Sequence, residues 1–311
     1  MSQIVITEFM ATDAVESLAR SYAVEYDPSL VDDRDRLEQL LGSAEGLIVR
    51  NRTQVDAALL DAGPRLRVVG RLGVGLDNID LDACEQRGVA VKPAVGANAD
   101  SVAEYVIAAA LCLVRGVFMS SDEVIAGEWP RVSLSGLEIQ GRTMGLIGFG
   151  DIAQRVAVRA SALGMSVVGH DPFLPPDDDA WSKARNVPLD EVLRTSDVVS
   201  LHVPLTDDTR GLIDDHALGV MKDSAVLVNT SRGGVVDERA LVEALRAGRI
   251  RGASLDVFAS EPVSSSYGEQ FAGVPNLILT PHIAGITAES NDRVSFMVAN
   301  EVADVLAGGS R

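Results

Sequence analysis

The sequence is poor in cysteine, aromatic residues and positive charge, and each shortage closes a class of explanation. Its two cysteines, Cys84 and Cys112, lie inside helix-like segments. They have neither the numbers for a disulfide framework nor the spacing of a metal site, so both read as small buried residues and no metal is expected. No apolar run approaches the ~20 residues of a membrane span. The start, MSQIVITEFM, lacks a basic region and a small-residue cleavage pattern, so the expectation is a cytoplasmic protein with no membrane partner. Lysine and arginine number 27 against 45 acidic residues, a net charge of −18. Nucleic acid is therefore excluded as a partner, since binding it needs a basic face. Solubility and a salty cytosol account equally well for such acidity. A chain this negative that handles an anionic substrate must concentrate its few arginines at the site.

What is present is a globular composition, 47% hydrophobic, over 311 residues, enough for two domains with separate cores. The most informative stretch runs from Gly145 to Asp171. It reads as a buried strand, a glycine turn, a helix with Ile152, Val156, Ala157 and Ala160 at helical spacing, and a second strand ending on a carboxylate. Gly148, Gly150 and Ala153 fit the dinucleotide fingerprint: the first glycine makes the turn, the second admits a pyrophosphate, and the third position packs the helix. Asp171, about 20 residues on, is placed to bond both ribose hydroxyls and to repel a 2′-phosphate, which favours NAD over NADP.

Strand and helix patterns alternate along the whole chain, so the fold class expected is α/β, with parallel sheets flanked by helices. Ligands in such sheets bind beyond the carboxyl ends of the strands. The turns there are Arg50 to Thr53, Arg71 to Asn78, His202 to Thr206, Asn229 to Gly234, Asp256 to Pro262 and Thr280 to Gly285. A single apolar helix from Asp100 to about Ile125 is predicted, as a crossover that also builds a dimer interface. A helix from Val31 to Leu41 and a final one from about Ala288 to Leu306 are predicted as well.

Three ionisable residues stand on successive late turns: Arg232, Glu261 and His282. Oxidising an alcohol with a nicotinamide requires removal of a hydroxyl proton, for which histidine is best suited near neutral pH. A carboxylate beside it favours the imidazolium and fixes which nitrogen faces the substrate. A guanidinium grips a carboxylate with two bonds and stabilises a polarised carbonyl. Together they describe a 2-hydroxy or 2-oxo acid site. His170, His202 and His216 compete for the base role, but His170 sits on the ribose-side strand, His216 in an Asp-rich stretch, and His202 toward the adenine half.

At this point the chain resembles the D-isomer-specific 2-hydroxyacid dehydrogenases, the family that includes phosphoglycerate dehydrogenase, D-lactate dehydrogenase and hydroxypyruvate reductase. The resemblance rests on Gly70 to Asp80, Asn98 to Glu104, the Gly145 to Asp171 unit and the four late turns. It implies two Rossmann-like or flavodoxin-like doubly wound domains with a cleft between them. The substrate-binding domain would be 1–98 plus 286–311, and the NAD-binding domain 99–285. It implies catalytic roles for Arg232, Glu261 and His282, and a hold on the nicotinamide carboxamide for Asp256. The remaining cofactor contacts implied are Gly148, Gly150, Asp151, Ile152, Asp171, His202, Pro204, Thr209, Thr230 and Gly285. Backbone N–H groups of Leu72, Gly73 and Val74 would take the substrate carboxylate. One departure stands out: the family often has a basic or neutral residue at Asp151, and an acid there should weaken pyrophosphate binding unless it points away or caps the helix. The sequence ends without the regulatory domain of longer phosphoglycerate dehydrogenases, so serine feedback is not expected.

Arg50, Arg52 and Asn98 match positions where phosphoglycerate dehydrogenases contact the substrate phosphate. If they face the ligand, they suit a second anionic group on carbon 3, a phosphate or a sulfonate. TEFM, IVRNRT, GRLGVGLDNID and AGEWPR are similar to bacterial sulfolactate dehydrogenases of the family. The expected reaction is therefore NAD-dependent interconversion of a D-type 2-hydroxy acid and its 2-oxo acid, with (S)-3-sulfolactate and 3-sulfopyruvate leading. The alternatives are D-3-phosphoglycerate and glyoxylate or hydroxypyruvate. The contrasting class is an NAD-sensing corepressor-like scaffold.

Overall fold

The computed structural model describes residues 3–118 and 120–308. Two compact units emerge, Met1–Asn98 with Ile286–Arg311, and Ala99–Gly285. Each is built on its own parallel sheet.

The first unit runs β1 (Gln3–Ile6), α1 (Thr12–Ala19), β2 (Ala23–Tyr26), α2 (Arg34–Leu41), β3 (Ala44–Val49), α3 (Ala57–Ala62), β4 (Val68–Arg71), α4 (Leu81–Gln86) and β5 (Ala90–Pro93). Its strand order, β2-β1-β3-β4-β5, is that of a flavodoxin-like doubly wound sheet. Leu47, Ile48 and Val49 are fully buried in sequence, as a strand covered on both faces must be. Aspartates start the helices: Asp33, Asp56 and Asp80 each accept a backbone N–H at an N-cap. The helix expected over Val31 to Leu41 is a 3-10 turn, Pro28–Asp32, followed by α2, because Asp33 caps a new start.

The second unit contains α5 (Ala99–Arg115), α6 (Ser121–Ile125), β6 (Thr143–Ile147), α7 (Asp151–Ala162), β7 (Ser166–His170), β8 (Arg185–Asn186), α8 (Leu189–Thr195), β9 (Val198–Leu201), α9 (Asp215–Val220), β10 (Val226–Asn229), α10 (Glu238–Arg246), β11 (Gly252–Leu255), α11 (Ser265–Gly268) and β12 (Leu277–Leu279). The order is β12-β11-β10-β9-β6-β7-β8. The single helix expected from Asp100 to Ile125 is two: α5 stops at Arg115, where Gly116 takes φ +69 and its N–H returns to Cys112 O. A left-handed glycine just past the last helical residue is the usual stop. Cys112 is half-buried rather than buried, whereas Cys84 is in the core.

The last helix, α12 (Ala288–Leu306), begins with a capping box between Thr287 and Ser290 and belongs to the first unit, packed on β4 and α1. Arg67 donates to the carbonyls of Val305 and Leu306 at its C-terminal end, where a cation is favoured. Close packing explains Gly70 in β4: a Cβ there would lie 2.6 Å from Val298 Cγ1 and 2.7 Å from Val302 Cγ2. Gly70→Ala should therefore destabilise the first unit by about 1–3 kcal/mol through overpacking. A urea melt in which the variant keeps the wild-type midpoint would contradict this packing.

Candidate active site

At the end of β6 the chain turns through Gly148, φ +83, whose absent Cβ would stand 2.5 Å from His202 O. No side chain fits there. Gly150, by contrast, faces open space, and α7 starts directly after it. Asp171, at the end of β7, accepts the N–H of Phe149 at 2.8 Å and that of Phe173 at 2.9 Å. The carboxylate thus fastens the glycine turn to the second strand. Ala153 is fully buried against the sheet and Ile152 is half-buried. Thr230 Oγ1 is buried and without a hydrogen-bond partner among the described residues, an orphan of the kind a ligand satisfies. The turn, the open approach at Gly150 and this orphan fit a dinucleotide.

Asp151 points back along α7. It pairs with Arg155 one turn on, at 3.1 Å, and Arg155 and Arg159 both reach Asp100 on α5, at 2.6 and 2.7 Å. Hydrogen bonds from Arg155 and then Arg159 hold the Asp100 carboxyl below its ordinary range. The charge of Asp151 is therefore engaged by a cation rather than aimed alone at a phosphate.

The next turn is tied by Thr209, whose hydroxyl donates to Pro204 O at 2.6 Å and accepts the N–H of Thr206 at 2.8 Å. His202 bonds Ser200 Oγ through Nε2 at 3.0 Å, and burial pushes its pKa down to about 4. It is neutral at physiological pH, poorly matched to proton transfer there. His170 meets Val187 O at 3.1 Å.

Arg232, Glu261 and His282 all lie in the second unit, on the turns after β10, β11 and β12. Asn229 opens the Arg232 turn, accepting from Ser231 N and donating to Arg232 O. A Cβ on Gly233 would lie 1.8 Å from Phe258 O. Only glycine lets these two turns touch. Glu261 Oε1 accepts the N–H of Phe258 at 2.8 Å, and Oε2 meets His282 Nδ1 at 2.8 Å. Burial raises the Glu261 pKa, but the bonds from His282 and Phe258, with the charge of Arg232, outweigh it and leave it lowered. His282 has φ +53, a left-handed conformation costing on the order of 1 kcal/mol in a non-glycine residue. Its N–H is held by Asp256 O at 2.8 Å. Asp256 itself is buried and accepts Thr280 Oγ1 at 2.6 Å, Ile283 N at 2.8 Å and Ala284 N at 2.9 Å. Gly285 follows, half-buried, at the end of this turn.

Two supports had no sequence signal. Glu238, a buried acid at the start of α10, accepts Ala259 N at 2.7 Å and the hydroxyl of Tyr267, and so braces the loop that carries Glu261. Burial and this carboxylate push the Tyr267 pKa to about 12. On α5, Tyr105 bonds Thr280 Oγ1 at 2.6 Å.

In the first unit, Arg50 at the end of β3 donates to Asn291 Oδ1 at 2.9 Å and lies 6.0 Å over the Phe9 ring. Arg52 instead pairs with Asp32 at the surface. Beyond β4, the N–H of Leu72 is taken by Val49 O and that of Gly73 by Arg71 O. Neither is available as it stands; Val74, exposed, has no such backbone acceptor among the described residues. The Arg71 guanidinium lies where a Cβ on Gly73 would be. Asn98 Oδ1 is buried without a partner among the described residues.

A family model described as D-isomer specific 2-hydroxyacid dehydrogenase, NAD binding domain, matches residues 107–284. The chain is 52% identical over 303 residues to an (S)-sulfolactate dehydrogenase of Chromohalobacter salexigens, covering 97% of each. It is 41% identical over 307 residues to a D-3-phosphoglycerate dehydrogenase of Mycobacterium bovis, covering 98% of this chain and 57% of that one. A crystal structure of a D-lactate dehydrogenase from Aquifex aeolicus, complexed with NAD and lactic acid, superposes with a TM-score of 0.85 at 30% identity, covering 99% of this chain and 96% of that one.

The lowered pKa of Glu261 has a consequence for stability. A depressed carboxyl contributes stability in full above its ordinary value, and the contribution fades as pH falls through the lowered one. The thermal midpoint of the wild type should exceed that of Glu261→Gln at pH 7, and the two should converge below about pH 4. A gap that stays constant with pH would contradict the lowered pKa.

Proposed function

The chain belongs to the D-isomer specific 2-hydroxyacid dehydrogenase family, and on that premise we propose that it interconverts (S)-3-sulfolactate and 3-sulfopyruvate with NAD. The observation that carries the chemistry is the 2.8 Å bond between Glu261 and His282 Nδ1. Nδ1 is engaged by the carboxylate, so Nε2 is the nitrogen that faces substrate. In the oxidising direction, Nε2 takes the C2 hydroxyl proton while the C2 hydride departs. Arg232 grips the substrate carboxylate and stabilises the carbonyl oxygen as it forms. Glu261 holds the ring's orientation and balances its new charge. NAD, when bound, supplies the hydride acceptor. Gly148, Gly150, Ile152 and Asp171 would seat its pyrophosphate and ribose. Asp256 would hold the carboxamide, with His202, Pro204, Thr209, Thr230 and Gly285 as the remaining contacts.

In this reading the first unit is the substrate-binding domain, and the N–H of Val74 takes the carboxylate. Arg50 selects the anionic group on carbon 3, and Asn98, whose Oδ1 is buried without a partner among the described residues, is a second contact. The similarity to the sulfolactate dehydrogenase of Chromohalobacter salexigens over 97% of both chains favours a sulfonate over the phosphate of 3-phosphoglycerate.

Among the described residues, no helix is long and apolar enough to cross a membrane; a cytoplasmic setting is part of the same proposal. A homodimer through the region from Asp100 to Ile125 is supported by exposed Phe118 and Ile125, continued by Trp129 and Val132. Large apolar side chains left exposed along one stretch of chain suit a partner surface. Light scattering should give twice the 32.9 kDa chain mass, and Trp129→Asp should shift it toward the monomer; a monomeric wild type would refute the dimer.

The reaction itself is tested by NADH formation over (S)- and (R)-sulfolactate, D-3-phosphoglycerate, D-glycerate and D-lactate. (S)-sulfolactate should give the highest kcat/KM. His282→Asn should lose about 10² or more in turnover while binding NADH as the wild type does. Near-normal turnover by that variant would remove His282 from the mechanism.

A further inference from the structure

Glu8 stands just past β1 in the TEFM stretch, and nothing in the proposed chemistry uses it. Its side chain is 6% exposed, which for an ionised carboxylate demands a full set of donors. It has them, and all come from one loop. Glu8 Oε1 accepts the backbone N–H of Arg50 at 2.9 Å and of Thr53 at 3.0 Å, while Oε2 accepts those of Asn51 at 3.3 Å and Arg52 at 3.1 Å. Four successive amides converge on one internal anion. Burial pushes the Glu8 pKa up, but the amides of Thr53, Arg50 and Arg52 outweigh it and leave the group below its ordinary range.

The neighbours of Glu8 finish the arrangement. Thr7 bonds Thr53 hydroxyl to hydroxyl at 2.8 Å, Phe9 presents its ring under the Arg50 guanidinium, and Asn291 on α12 accepts from Arg50 Nη2. The guanidinium is thus held by a ring face and a neutral amide, with no carboxylate among these contacts. A carboxylate that met Arg50 head-on would neutralise it. Glu8 instead holds the loop by its backbone and leaves the side chain's charge available.

We propose that Glu8 is a positioning residue that acts through Arg50, fixing it as the selector for a second, strongly anionic group on the substrate. This rests on the sulfolactate reading above. In Glu8→Gln the amide nitrogen brings two donors against a loop of donors, so part of the set is lost and the loop must shift. Removing bonds to a charged acceptor of this kind should raise KM for (S)-sulfolactate about tenfold or more. For D-glycerate, which lacks the second anion, KM and kcat should stay within about threefold of the wild type. In an Arg50→Ala background, Glu8→Gln should add nothing to the KM for (S)-sulfolactate. Glu8→Asp, which keeps the charge but shortens its reach, should recover part of the loss and serves where the glutamine variant folds poorly.

The proposal falls if Glu8→Gln, or Glu8→Asp in its place, changes the two substrates equally. It falls also if the effect persists undiminished without Arg50. Those outcomes leave the substrate reading standing, because the wild type still prefers (S)-sulfolactate. A wild type that oxidises D-glycerate but not (S)-sulfolactate overturns both.

Discussion

Asp256 decides where the candidate base stands. Its carboxylate is buried, and burying that charge is costly unless donors surround it. The donors come from a single turn: the Thr280 hydroxyl and the N–H groups of Ile283 and Ala284. The main-chain carbonyl of the same residue takes the N–H of His282. One residue of β11's turn thereby folds the whole turn after β12 around itself, and the left-handed His282 is the geometric result. With Thr280 donating to Asp256, its oxygen is free to accept from Tyr105, so α5 is tied into the same construction. Three acceptances occupy three of roughly four lone-pair positions on the carboxylate. One remains, which suits the proposed hold on a carboxamide.

Spacing between the turns is set by two places where backbone meets backbone. Gly148 lies against His202 O and Gly233 against Phe258 O, both closer than any side chain permits. The first contact draws the fingerprint turn against the turn after β9, and the second draws the Arg232 turn against the loop carrying Glu261. Glu238 and Tyr267 then brace that loop from the far side. The proposed chemistry is therefore carried by turns, but turns pinned to strand ends on one edge of a parallel sheet, and that is what gives loop residues a fixed geometry.

What could be read in the sequence was whatever the chain keeps local. Gly148, Gly150 and Asp171 span one strand-helix-strand unit, and the trio is distributed one residue to a turn in chain order. Glu8 and Glu238 were not legible because their partners lie 42 to 45 and 21 to 29 residues away, and nothing in a local pattern tells a buried acid from a solvated one. Asp151 is a different case: the family pattern pointed to a repulsive acid, while Arg155, one helical turn on and within local reach, is the partner that answers it. The break after Arg115 was missed for a different reason: apolar periodicity ran on, and a single left-handed glycine overruled it.

A net charge of −18 makes a bare cation hard to keep. Many arginines are answered by acids: Arg34 by Glu38 and Asp56, Arg52 by Asp32, Arg155 and Arg159 by Asp100. Arg50 escapes that fate although the Glu8 carboxylate accepts its own backbone N–H at 2.9 Å. Glu8 is saturated by four amides, so it has no lone pair to offer the guanidinium, and its low pKa reflects those amides rather than an ion pair. Burial lowers the Arg50 pKa, and the nearby charge of Glu8 opposes that shift only in part. An acidic chain can thus keep a cation out of an ion pair, as the role proposed for Arg50 requires, by keeping a neighbouring acid occupied elsewhere, and the acid that does this also builds the loop on which the cation stands.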